Sequence, residues 1–204
     1  MNNNSGKITP GSNPHHPKKG SQIKVEPIKD LKDIKTIKKM IYGNPLHYCI
    51  FVLGINTNLR ASDLVRIKAD QVKDIKPGDE IEIKERKAKK YRRITLNNQC
   101  VQAINKLLAT RDYKDDEPLL TGQRGPIKPN TIHKYVKRWC NLINLKGNYG
   151  SHTLRKTWGY HQRVTFSRGI PELMQAFNHS SQKQTLDYLC VQPSEIKSLY
   201  ENEL

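Results

Sequence analysis

Two arginines, two histidines and a tyrosine, spread over three short segments, carry side chains suited to moving a phosphoryl group. Residues 150–160 read GSHTLRKTWGY and set His152 and Arg155 three apart, so that on a helix they share a face. A histidine can carry a proton and an arginine can hold two phosphate oxygens at once, a pairing suited to phosphoryl transfer. Alone, the pair reads as readily as a capping histidine beside a surface arginine. Residues 54–67 read GINTNLRASDLVRI: Arg60 follows the turn-prone Asn56, Thr57 and Asn58 and opens a short helix, with Asp63 one turn on, able to orient its guanidinium. An Arg and an Asp at that spacing are, by themselves, an ordinary surface pair. Residues 173–189 read LMQAFNHSSQKQTLDYL; His179 follows a helix end expected at Asn178, and Tyr188 lies nine residues further, in a new helix beyond a polar connection. In isolation Tyr188 is a core tyrosine as readily as a nucleophile.

Elements to hold these segments can be read from periodicity. After Asp30, a suitable N-cap, Leu31, Ile34, Ile37 and Ile41 recur at helical spacing while Lys32, Lys35, Lys38 and Lys39 take the outside. Gly43, Asn44 and Pro45 break that helix, and 46–55 read as a second, more buried one on which His47 and Cys49 are packing residues. Residues 80–84 and 91–96 alternate as two strands of a hairpin whose connection, 85–90, is strongly basic. Helical patterns return at about 98–110, 129–144, 153–166, 171–177 and 182–200. The expected fold is mainly α with a small antiparallel β-sheet, an α+β domain over 25–204. Residues 1–24 offer almost nothing to bury and are expected to form a flexible basic tail.

Charge points the same way as the motifs. The chain carries 36 Lys and Arg against 19 Asp and Glu, a net +17 distributed along its whole length, which favours a polyanionic partner. Cys49, Cys100, Cys140 and Cys190 stand singly, with no CxxC pair, and read as reduced, buried thiols rather than a zinc site. No apolar stretch approaches the roughly 20 residues a membrane helix needs, and the N-terminus is polar where a secretory signal would be apolar. A cytoplasmic protein bound to DNA or RNA is the expectation.

Taken together, the three segments resemble the tyrosine recombinase family, the phage integrases and their relatives. The family's first box, TGLRxSEL, is matched by Thr57, Asn58, Leu59, Arg60, Ala61, Ser62, Asp63 and Leu64. Its second, HxLR, is matched by His152, Thr153, Leu154 and Arg155, and its third, LGHSS with the nucleophile nine residues after the histidine, by Phe177, Asn178, His179, Ser180, Ser181 and Tyr188. The resemblance covers roughly residues 26 to 201 and implies the catalytic-domain fold of that family. It also implies a lysine on the hairpin. Alignment backwards from Arg92, Ile94 and Leu96 gives that role to Lys87, with Lys84, Lys89 and Lys90 close enough to compete for it. Asn58 and Asn178 stand where the family has glycine; asparagine tolerates left-handed backbone best after glycine, so both turns survive. Asp63 replaces a more usual glutamate, which keeps the charge and shortens the reach.

The activity so implied is site-specific breakage and rejoining of DNA through a 3′-phosphotyrosine. Tyr188 would be the nucleophile, Arg60 and Arg155 would clamp the non-bridging oxygens, and His152 would take the tyrosine proton. His179 would hydrogen-bond a non-bridging oxygen, Lys87 would protonate the leaving 5′-oxygen, and Asp63 would support Arg60. No metal or cofactor is expected, because the arginines supply the cationic stabilisation. Arg86, Lys89, Lys90, Arg92, Arg93, Arg124, Lys134, Lys137 and Arg138 are expected to contact backbone phosphates of double-stranded DNA. Family resemblance further implies a homo-tetramer on paired sites, a monomer or weak dimer without DNA, and residues 189–204 as a segment passed between subunits. The alternatives are a type IB-like topoisomerase with the same phosphotyrosine step, or a DNA-binding regulator that kept the fold and lost catalysis. Most relatives carry a further N-terminal helical domain; the initiating Met and closing helix favour kinship with short members such as the fimbrial phase-variation recombinases over a fragment.

Overall fold

The computed structural model describes residues 25–85, 91–189 and 200–201. The expected tail at 1–24 lies outside them. In chain order the elements are α1 (Leu31–Ile41), α2 (Pro45–Asn56), α3 (Ala61–Leu64), β1 (Glu80–Lys84), β2 (Tyr91–Thr95), α4 (Asn98–Leu108), β3 (Thr121–Gly122), β4 (Gly125–Pro126), α5 (Pro129–Leu142), α6 (Ser151–Val164), α7 (Ile170–Phe177) and α8 (Gln182–Leu189).

Helix α2 is apolar on every side, and a helix of that kind belongs in the middle of a fold. Its residues from Cys49 to Ile55 are buried, and α1, α3, α4, α5 and α6 pack around it. Asn44 caps it by accepting from His47 N at 3.0 Å, and His47 itself stacks against Tyr135 and Trp139, a packing histidine as expected. Asp30 caps α1 as expected, accepting from Lys32 N at 2.7 Å, and Ile34, Ile37 and Ile41 face inward. Leu31 does not join them; it lies exposed on the first turn. Cys49, Cys100 and Cys140 are buried free thiols, while Cys190 lies outside the described residues.

The hairpin β1–β2 is antiparallel, with Ile81 opposite Ile94 and Ile83 opposite Arg92. Ile81, Ile83 and Ile94 face the core, as period-2 alternation requires. A second two-stranded hairpin, β3–β4, was not legible in the sequence, because strands of two residues show no alternation. The chain before α1 is strapped onto α6: Ile28, fully buried, donates from N to Thr157 Oγ1 at 2.8 Å, and its carbonyl lies 3.0 Å from His161 Nε2.

The core has two parts. The large cluster surrounds α2, and a small satellite of Leu173, Phe177 and Leu189, with Trp158, Ile170 and Tyr188 against it, joins α7 and α8 to the outer face of α6. Gly159 makes that docking close. A Cβ there would meet Leu189 Cδ2 at 2.8 Å and would run into the Phe177 ring.

Candidate active site

The end of α2 sets the first part of the site. Thr57 closes the helix by donating to Leu53 O at 2.7 Å, and Asn58 then turns the chain in the left-handed region, φ 55°. From that turn Asn58 Nδ2 donates to Ala176 O at 2.7 Å, tying the first segment to the end of α7. Arg60 is the extended residue that precedes α3. Its Nη1 donates to Glu85 Oε1 at 3.1 Å, while Asp63 Oδ2 is 3.9 Å away. The expected orienting role of Asp63 is therefore shared, and Glu85 makes the closer contact.

Glu85 directly follows β1 and is 1% exposed. Its Oε1 also accepts from Arg92 Nη1 at 3.4 Å, and its Oε2 accepts from Asn178 Nδ2 at 3.4 Å. Burial works to raise its pKa, but the Arg60 and Arg92 guanidiniums, the Asn178 hydrogen bond and the nearby Arg155 outweigh it and hold the carboxyl below its ordinary range. Arg92 departs from the expectation of an outward phosphate contact. Its side chain is 19% exposed and bonds inward, to Glu85 and to Asn58 O.

Arg155 projects from α6 into the seam between the two core clusters and is 1% exposed. Nη2 donates to Phe177 O at 2.9 Å; Nη1 is buried and forms no hydrogen bond among the described residues. The guanidinium carbon lies 5.2 Å from the Phe177 ring and 5.9 Å from the Tyr188 ring. Burial brings its pKa down to about 10, opposed by Tyr188 and Glu85 and reinforced by Arg60 and Arg92. His152 stands exposed on the opening turn of the same helix, which begins after Gly150, where a Cβ would meet the His133 ring of α5 in its present position.

The third segment completes the cluster. Asn178 caps α7 in the left-handed region at φ 55°, as the asparagine-for-glycine reading expected. His179 follows, its ring stacked on Phe177 and edge-on to Tyr188 with centroids 5.4 Å apart. Its Nδ1 lies 3.1 Å from Thr185 Oγ1. Burial, with Arg155 and Arg60 adding, brings its pKa down to about 4, so the ring is neutral near pH 7. Tyr188 is half-buried on α8, and Lys156 Nζ lies 5.3 Å from its ring.

Arg60, Arg155, His179 and Tyr188 thus come together from three distant segments. Lys87 lies outside the described residues, as do Arg86, Lys89 and Lys90. Arg93 is exposed and pairs with Glu82 at 3.6 Å. Lys134, Lys137 and Arg138 are exposed along α5, where they line a shallow groove with His133. Arg124, also exposed, lines a cleft with Asn44 and His47 at the start of α2, the end opposite Arg60. Glu85 and Lys156 were missed as site residues. The signal for Glu85 was present, since the alternation that buries Ile81 and Ile83 puts residue 85 on the same inward face.

Comparison with known proteins follows the same segments. A family model described as the phage integrase family matches residues 30–195. The chain is 33% identical over 181 residues to the "Probable integrase/recombinase YoeC" of Bacillus subtilis (strain 168), covering 86% of this chain and 95% of that protein. It is 31% identical over 155 residues to the tyrosine recombinase XerC of Caldanaerobacter subterraneus subsp. tengcongensis, covering 74% of this chain and 42% of the relative. Among solved structures, a XerH site-specific recombinase bound to a palindromic difH substrate superposes with a TM-score of 0.70 at 20% identity, over 90% of this chain and 55% of XerH. XerA recombinase superposes with a TM-score of 0.69 at 18% identity, over 89% of this chain and 65% of XerA. At that identity the likeness is one of fold.

Proposed function

This chain belongs to the phage integrase family of tyrosine recombinases, and from that premise we propose that it breaks and rejoins double-stranded DNA through a bond between Tyr188 and a 3′-phosphate. The observation that carries this reading is the gathering of Arg155, His179 and Tyr188 within one small cluster, with Arg155 Nη1 buried and without a hydrogen bond among the described residues.

A phenol with an ordinary pKa of about 10 is a weak nucleophile near pH 7, and attack on a phosphodiester builds negative charge on the non-bridging oxygens. Arg155 and Arg60 answer the second difficulty, because buried donors aimed at those oxygens strengthen as the charge develops. His179, neutral, can also donate in the tautomer that carries its proton on Nε2, with Nδ1 lying 3.1 Å from Thr185 Oγ1. His152, exposed one turn before Arg155, is suited to receiving the tyrosine proton. The oxygen–phosphorus bond from Tyr188 forms as the bond to the 5′-oxygen breaks, and Lys87 supplies the proton that leaves a 5′-hydroxyl. Rejoining reverses the step and needs no nucleotide, since the phosphotyrosine keeps the phosphodiester's energy. The exposed cations of α5 support binding to the phosphate backbone. We extend the proposal to four chains acting on paired sites, which family membership supports.

Tyr188→Phe tests the reading directly. Covalent DNA adducts, captured under denaturing conditions from cells expressing the chain, should disappear, while affinity for duplex DNA stays within about threefold because many phosphate contacts supply it. Adducts that persist in Tyr188→Phe would move the nucleophile to Tyr160 or Tyr200 and refute this use of the third segment.

A further inference from the structure

One carboxylate joins the first and third segments of the site to strand β2. Glu85 Oε1 accepts from Arg60 before α3 and from Arg92 on β2, and Oε2 accepts from Asn178, the residue before His179. Arg92 in turn reaches Asn58 O, and Asn58 reaches Ala176 O, so a closed ring of hydrogen bonds runs from the end of α2 through β2 to the end of α7. We propose that Glu85 is a positioning residue for the recombination step, holding Arg60 aimed before DNA arrives. This rests on the phosphotyrosine reading of the same site.

Arg60, Arg92 and Arg155 are near enough to act on one another, and among the described residues only Glu85 and Asp63 are the acids in contact with Arg60. Without the Glu85 carboxylate, Arg60 and Arg92 would repel each other and lose their common anchor, so neither would keep one orientation. A guanidinium that must first be ordered stabilises a developing oxyanion less than one already held in place. Duplex affinity depends mostly on other cations, at the surface. The effect of Glu85 therefore falls on the rate of bond breakage and spares DNA binding.

The test uses a nicked duplex copied from DNA captured on the wild-type chain. Glu85→Gln keeps the shape and an oxygen for Asn178 but removes the charge. Its first-order cleavage should fall by about 30-fold, with the Kd for that duplex within about threefold and the melting temperature within a few degrees. A folded Glu85→Gln that cleaves within about twofold of wild type, or whose slower cleavage is matched by an equal loss of affinity, overturns the assignment. Should Glu85→Gln fail to fold, Glu85→Asp decides: it keeps the charge but is too short to hold Arg60 and Asn178 together, so the same split is expected with a fall of about tenfold. A folded Glu85→Asp at the wild-type rate overturns the proposal as well. Absence of any DNA-linked product from the wild-type chain refutes the phosphotyrosine reading and this assignment with it, whereas equal product from wild type and variants refutes only the role of Glu85.

Discussion

His179 shows how much a side chain's surroundings decide. On a surface its ring would titrate near 6.5; here burial, with Arg155 and Arg60 adding, brings it to about 4. Between those values the unfolded chain binds a proton that the folded chain does not. Stability from this group is therefore present above pH 6.5 and is lost as pH falls toward 4. His47 and His161, both lowered chiefly by burial, act in the same direction, so the informative quantity is a difference. The melting temperature should drop between pH 7 and pH 5, and drop less in His179→Asn, followed by circular dichroism. An equal drop in the two chains would mean that His179 titrates as a solvated ring. At this scale the sequence was legible wherever residue type and position coincided, as at Asn178, read as a left-handed turn before His179 and found there at φ 55°. It was least legible at Glu85, where a single acid in a basic run hid an inward-facing strand position, and at Arg92, whose charge suggested solvent and whose strand position put it beside Glu85.

Helix periodicity located most of the elements, because α1, α4 and α5 each bury one face and expose the other. It could not show that the core divides in two. Tyr188, His179 and Phe177 belong to the smaller cluster, which reaches the rest of the molecule through α6 and the close approach at Gly159. Tyr188 thus rides on an element of the smaller cluster while Arg155 stands on α6, and the Gly159 contact acts beside the bonds from Asn58 to Ala176 O and from Asn178 to Glu85 in bringing them together. Gly159→Ala forces a methyl into Phe177 and Leu189, an overpacking that typically costs about 1–3 kcal/mol. Adduct yield should fall while the main melting transition, governed by the cluster around α2, shifts by only a few degrees. Unchanged adduct yield in a folded Gly159→Ala would show that α7 and α8 are not held by this contact. The hairpin β3–β4 escaped reading for the opposite reason: it is too short for any pattern, and only the chain around it fixes it.

Across the whole molecule, a net charge of +17 suggested a polyanion without naming it, and the order of motifs supplied the chemistry. The two agree in space to different degrees. Arg60, His179 and Tyr188 gather around Arg155, whereas the exposed cations expected to meet DNA, among the described residues, lie apart on β2 (Arg93), on α5 and at the start of α2. Charge counting could not have separated those groups, because it carries no information about which face a lysine occupies. The bond proposed from the phenolic oxygen of Tyr188 to a 3′-phosphate can be read directly. DNA-linked protein, isolated under denaturing conditions from cells expressing the chain, is digested with nuclease and protease and the nucleotide-bearing peptide sequenced by mass spectrometry. The expected product is a peptide containing Tyr188 with a nucleotide on its phenolic oxygen, attached through the 3′-phosphate. A nucleotide on any other residue, or a 5′-linkage to Tyr188, would contradict it.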